Sequence, residues 1–228
     1  MEKWFNQLYE TFIVDGRYKW LLEGFGNTII ITLGALLIGV VIGTVIAVIK
    51  YFADDVPALK IPAKICDVYV TVIRGIPVTV LLLIFYFIIM SSAEGRTTAI
   101  VTFGINSGAY MAELIRSGIN AVDRGQMEAG RSLGLSQLQT MRKIILPQAI
   151  RYILPAIGNE MIALLKETSV AGYIGIRDLT KGGDLIRNIT YDPFNPLILV
   201  ALVYLTLVIL LTQLLNLVER KLMKNDKR

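Results

Sequence analysis

Five charged residues sit where charge is expensive. Glu113 and Arg116 lie in a run that is otherwise uncharged from Thr97 to about Ile119, and Glu160, Lys166 and Glu167 interrupt the apolar run Tyr152–Gly172. A Lys, Arg or Asp at the centre of a membrane helix costs about 2.5–3.5 kcal/mol on insertion scales, so such groups face a partner or water. Their spacing groups them. Asn106, Tyr110, Glu113 and Arg116 or Ser117 recur at helical intervals and form one polar stripe. Asn159 and Glu160 are followed seven residues later by Lys166 and Glu167, again on one face. Arg116 stands at i+3 from Glu113, a spacing that allows a local ion pair. Glu160 lies about ten residues from one helix end, roughly 15 Å along the axis and near the midplane of a bilayer core about 30 Å thick. A carboxylate there attracts a cationic side chain or an α-ammonium group. Thr28 and Thr32 in an earlier run, with Ser107 and Tyr110, offer hydroxyls to a carboxylate, although Thr in a membrane helix more often bonds its own i−4 carbonyl. Histidine is absent and Cys66 is the one cysteine. No His triad, imidazole metal site, intrachain disulfide or Cys-cluster zinc site can form, and no catalytic residue or metal ligand is expected.

The elements that position these groups are long and apolar. The chain has 228 residues, 54% apolar and 18% charged, and a mean hydropathy of +0.60, against about 45–50% and about 25% in ordinary soluble domains. Five spans are expected: Phe25–Ile49; Gly75–Ala93, its helix starting near Ile61; Thr97 to about Ile119; Tyr152–Gly172; and Phe194–Val218. The expected fold is an all-α membrane protein with one domain over residues 1–228. Thirteen Lys and Arg fall in the connections of one side and seven in those of the other. The positive-inside rule then places the C-terminus and the 120–150 connection in the cytoplasm and the N-terminus outside. The net charge of +5 is read as basic inner loops rather than a nucleic-acid surface. No cleavable signal peptide is expected. Residues 1–18 read as an amphipathic segment on the outer interface, with Trp4, Phe5, Leu8, Tyr9, Phe12 and Ile13 at helical spacing.

The 120–150 connection is neither polar nor low in complexity. Glu128 to Gly134 reads as a short helix stopped by glycine, and Ser136 as the cap of a second helix carrying Leu138, Met141, Ile144 and Ile145 on one face. Pro147 and Pro155 bound or kink its continuation. In the second span Arg74-Gly75-Ile76-Pro77 predicts a kink, or a break that splits the span. Arg74 is free to pair with Glu167 or to bind freed carbonyls. Small residues at i, i+4 (Ala35, Gly39, Gly43; Gly104, Gly108, Ala112) permit tight helix crossing, within one bundle or between copies.

Glu128-Ala129-Gly130, then Gly134, then Ile144-x-Leu146-Pro147 resembles the EAA motif of ABC-importer permeases. Tyr110–Gly175 resembles the polar amino acid uptake group, through Tyr110 to Ile119, Gly125 to Ala129, Leu146 to Ala149 and Leu165 to Ser169. Asn27-Thr28 and Arg74 to Pro77 fit too, so the likeness runs from about Gly24 to Val218. One departure is Gly130, where the motif usually has a second Ala; Gly weakens a helix by about 1 kcal/mol relative to Ala.

The resemblance implies a five-span permease of the bacterial-type inner membrane, working by alternating access. Its implied partners are two ATPase subunits, a second permease copy (a homodimer favoured over a heterodimer), an extracytoplasmic amino-acid-binding protein and the lipid bilayer. It implies that Glu128, Ala129, Gly130 and Gly134 form the coupling element seated on the ATPase. No G-x-x-x-x-G-K-[ST] occurs, so this chain binds no ATP or Mg through a P-loop and no cofactor of its own is expected. The cargo expected from the residues is a polar, basic amino acid (arginine, lysine or histidine), contacted by Glu160, Glu113, Tyr110, Thr28 and Ser107. Arg74, Arg116, Lys166 and Glu167 are read as structural ion pairs; the resemblance supports this, since Lys-acidic-Thr-Ser is a family feature whatever the substrate. The alternatives are glutamine or another polar amino acid in the same class of importer, or an ion-coupled carrier with Glu113 and Glu160 as a proton relay. A membrane enzyme is the least supported.

Overall fold

The computed structural model describes residues 2–53 and 55–224. Met1, Lys227 and Arg228, counted above, lie outside them, as does the side chain of Trp4. Among the described residues the chain is helical throughout, with no strand. A short helix α1 (Glu2–Phe12) precedes the long α2 (Tyr18–Phe52). Then come α3 (Lys60–Gly75), α4 (Val78–Ile84), α5 (Gly95–Asn120), α6 (Gly125–Ser132), α7 (Gln137–Thr140), α8 (Leu146–Glu167), α9 (Leu179–Thr190) and α10 (Asn195–Lys224).

Each expected span has its helix, with two changes. The second is broken rather than kinked. α3 ends at Gly75, and Pro77, with φ −56° and ψ 134°, leaves the helical region before α4 starts. In the fourth, the α-helix stops at Glu167 and tightens into a 3₁₀ segment, Thr168–Ile174. Val14–Phe52 and Asn195–Leu222 are each long and apolar enough to cross a bilayer alone, and a third crossing results if the bent pair Pro57–Gly75 and Val78–Ile89 counts as one. α5 and α8, 26 and 22 residues long, have the length but carry the charges.

Large apolar side chains cover the outside. Val41, Val45 and Val48 on α2, Ile61, Ile65, Val68 and Val72 on α3, and Leu202, Leu205, Ile209, Leu214 and Leu217 on α10 are all exposed. An aqueous surface does not carry stripes of this kind; a lipid-facing one does.

The chain forms two compact units, each built from three stretches. One takes Met1–Leu37, Ile76–Gly104 and Ile162–Leu210; the other takes Ile38–Gly75, Ile105–Met161 and Leu211–Arg228. The first packs Ile31, Ala35, Leu82, Phe103, Leu164 and Ile174 into its core. It also holds α1 in place: buried Asp192 accepts from Thr11 Oγ1 at 3.1 Å, Gln7 Nε2 at 3.4 Å and Asn195 Nδ2 at 2.6 Å. Phe5 and Tyr9 of α1 remain exposed.

The second unit has two apolar clusters, around Ile46, Val70, Ala109 and Ala112, and around Ala47, Ile115, Met141, Ile145, Ala149 and Ile153. Here the glycines do what their spacing suggested. A methyl group at Gly39 would lie 2.8 Å from Ser107 Oγ, and one at Gly43 2.8 Å from the Ala112 nitrogen. The backbones of α2 and α5 therefore approach within this chain, which the missing Cβ permits. A π turn, Met141–Ile145, joins α7 to α8, with the Leu146 N–H bonded to the Met141 carbonyl. Pro147 explains the widening. It has no N–H for the Lys143 carbonyl, and its ring would clash with that carbonyl in a regular helix.

Candidate functional site

The carboxylate of Glu160 on α8 accepts a hydrogen bond from Ser107 Oγ on α5, at 3.0 Å. Both residues belong to the second unit, and Ser107 is fully buried. Glu160 is half-buried and forms no ion pair among the described residues. A single hydroxyl satisfies one of about four acceptor positions on a carboxylate, so much of its demand for donors is unmet among the described residues. Tyr110 lies one turn from Ser107 on the same face of α5. The guanidinium carbon of Arg74 sits 5.0 Å from the Tyr110 ring centroid, a cation–π geometry. Arg74 is exposed and stacks on the ring, and it forms no ion pair among the described residues.

Glu113 differs in kind. Oε1 accepts from Lys50 Nζ at 3.2 Å, and Oε2 from Arg116 at 2.8 Å. Lys50 also bridges to Asp67 at 2.7 Å. Four charged side chains from α2, α3 and α5 thus neutralise one another. The Glu113–Arg116 pair follows from the i, i+3 spacing. Lys50 and Asp67 were not legible, because they come from 63 and 46 residues away. Counted as the loop cation after the first span, Lys50 instead folds back onto α5.

Thr28 belongs to the first unit and is fully buried. Its Oγ1 accepts the Leu179 N–H at 3.1 Å, and its carbonyl accepts from Thr32 at 2.7 Å. Both threonines are committed to the fold. Beside them Asp178 caps α9, accepting from the Thr180 and Lys181 N–H groups at 3.0 and 3.2 Å. Burial pushes the Asp178 carboxyl up to about 6, against the opposing pull of those hydrogen bonds. Lys166 is exposed and lines a 300 Å³ pocket with Ser169, Thr180 and Tyr204; Glu167 is half-buried at the end of α8.

The 120–150 connection folds as its residues direct. α6 stops at Ser132, and Gly134 takes φ +81°, which side-chain-bearing residues rarely adopt. Ser136 Oγ accepts the Gln139 N–H at 3.2 Å, while Gln139 Oε1 accepts the Ser136 N–H at 2.8 Å, a reciprocal capping box. Glu128, Ala129 and Gly134 are exposed. Gly130 faces inward on buried Thr140, where an added methyl group would come within 2.8 Å of the Thr140 hydroxyl. Thr140 thus fills the space that the usual Ala would need.

The comparisons with known proteins agree. Residues 39–224 match the family model described as the binding-protein-dependent transport system inner membrane component. The arginine transport system permease protein ArtQ of Bacillus subtilis (strain 168) is 37% identical over 210 residues, 90% of this chain and 94% of ArtQ. The permease protein GlnP of Rickettsia typhi (strain ATCC VR-144 / Wilmington), named for glutamine transport, is 34% identical over 90% of this chain and 94% of its own. A crystal structure of an amino acid ABC transporter with histidines shares 40% identity and a TM-score of 0.83, covering 92% of this chain and 98% of that one. ATP hydrolysis in such importers lies with a separate ATPase subunit, and a binding protein brings the cargo, so this chain is not an enzyme. The chain belongs to the binding-protein-dependent transport system inner membrane components, as a multi-pass permease subunit of an amino-acid ABC importer.

Proposed function

We propose that this permease carries basic amino acids, with Glu160 receiving the positive charge of the cargo. The observation that carries the reading is a carboxylate held by the Ser107 hydroxyl, with no cation against it among the described residues. A group so placed gains most from a ligand that brings the missing charge. The other end of a free amino acid is a carboxylate. Arg74, stacked on Tyr110 one turn along α5 from Ser107, supplies a guanidinium for it. A relative named for arginine transport and a similar transporter crystallised with histidines support the same class. Glu113 drops out of the contact set, because Lys50 and Arg116 already occupy it.

The reading includes five spans with the N-terminus outside, α1 lying on the outer interface, and one membrane domain paired with a second copy of itself. Glu128, Ala129 and Gly134 then meet the ATPase, and Gly130 lets α6 lie close to Thr140. Closure of the ATPase pair shifts the permease between outward and inward access only in so far as it binds the two states unequally. Glutamine is the second reading, favoured by relatives named for it.

Uptake by the complete transporter in proteoliposomes separates the two. Arginine, lysine or histidine should be taken up in preference to glutamine, and Glu160→Gln should abolish that uptake far more than it changes basal ATPase activity. Strong glutamine uptake with no arginine uptake would defeat the proposal.

A further inference from the structure

A second pocket, in the unit that holds Glu160 but lined by neither Glu160 nor Ser107, has a volume of 360 Å³ and an almost wholly apolar wall. Val48, Tyr51 and Phe52 from the end of α2, Ile119 from the end of α5, and Leu138, Met141 and Leu146 from the α7–α8 run line it. Its one charged wall residue is Arg142. Arg142 and its neighbour Lys143 are both exposed and make no ion pair among the described residues.

The position of these residues names the occupant. Val48 ends the exposed stripe Val41–Val45–Val48 on α2 and also lines the pocket, so the lipid-facing apolar surface runs into it. Tyr51 and Phe52, at the end of the long apolar α2, pack edge to face with ring centroids 5.0 Å apart; aromatic side chains at a span's end mark the edge of the hydrocarbon. On the orientation proposed above, Arg142 and Lys143 fall at the level of the lipid phosphates. The exposed residues assigned to the ATPase, Glu128, Ala129 and Gly134, are not part of this wall.

We propose that the pocket holds one acyl chain of an anionic phospholipid of the inner leaflet, with its headgroup on Arg142 and Lys143. The site pins the end of α7 against the end of α2, beside the segment that receives the ATPase stroke. The choice of leaflet rests on the orientation proposed above; the choice of an anionic lipid rests on the pocket itself.

The test uses the assembled transporter in nanodiscs of equal parts phosphatidylcholine and phosphatidylglycerol, with a photo-reactive benzoylphenylalanine at position 138. Irradiation should attach phosphatidylglycerol to this chain. In native mass spectra of the unlabelled complex, Arg142→Gln should lower retained phosphatidylglycerol about fivefold, the loss expected for one basic side chain at an anionic surface. A crosslink to the ATPase subunit in place of lipid would overturn the proposal. So would equal retention of phosphatidylglycerol and phosphatidylcholine by the wild type, or unchanged retention in the variant. None of these readouts depends on which amino acid is transported, so failure here is distinct from failure of the cargo reading.

Discussion

Glu113 and Glu160 belong to the same compact unit, each on a helix read as a membrane span, and their surroundings are opposite. Glu113 sits among Lys50, Arg116 and Asp67, where charges cancel pairwise and tie α2, α3 and α5 together. Glu160 has the hydroxyl of Ser107 and, among the described residues, no cation. An ionised side chain in a low-dielectric setting is tolerated when a partner compensates it, and where the fold supplies none, the partner comes from outside. Composition cannot separate the two acids; geometry does. One is part of the scaffold; the other, on the function proposed above, receives the ligand.

The largest effect expected from this contrast is on Glu160. Glu160→Gln removes the charge and keeps the shape, so arginine uptake should fall about 100-fold, within the 2–5 kcal/mol cost of removing one member of a buried, hydrogen-bonded charge pair. An uptake rate within threefold of wild type would place the cargo elsewhere.

Asp178 extends the comparison to an acid that is fully buried, where Glu160 is half-buried, and that is held by backbone N–H groups. With its carboxyl raised from 3.8 to about 6, the folded state binds the extra proton between these values. Stability is then greatest below about pH 4, falls as the pH rises toward 6, and carries the full cost above 6. Asp178→Asn keeps the capping oxygen and removes the charge. Thermal unfolding should show the variant up to about 3 kcal/mol more stable above pH 6, with the gap closing near pH 4. A gap independent of pH would show that ionisation of Asp178 carries no such cost.

A middling effect is expected at Ser107. Ser107→Ala leaves the Glu160 carboxylate without its donor and should lower arginine uptake about tenfold, the lower end for a hydrogen bond to a charged group. Unchanged uptake would mean that the hydroxyl does not orient the acid. The smallest change should come from Glu113→Gln. Its partners are partly solvated, with 25% of the Glu113 side chain and 47% of that of Arg116 exposed, so a loss of about 1 kcal/mol is expected on unfolding in detergent. Uptake should fall far less than in Glu160→Gln. Equal loss in the two variants would erase the distinction between scaffold and site.

What the sequence made legible was local. The stop at Gly134, the cap at Ser136 and the Glu113–Arg116 pair each depend on residues within a turn or two, and all three are present. The small-residue spacing foretold a close helix crossing, which the structure places between α2 and α5 of this chain. Contacts between distant segments were not legible. Lys50 reaches Glu113, Thr28 receives the Leu179 N–H, and Asp192 gathers Thr11 and Gln7, and nothing in the spacing of these residues announces the meeting. Helix irregularities were half legible. Pro77 foretold a kink or a break without deciding between them, and the chain breaks there; Pro147 foretold a boundary or kink where the chain widens into a π turn.

The most direct test is a structure of the assembled transporter with arginine bound. The account predicts a cationic nitrogen of the cargo within about 3 Å of a Glu160 carboxylate oxygen, with Lys50 and Arg116 still on Glu113. Arginine bound away from Glu160, or held by Glu113 after displacing Lys50, would contradict it.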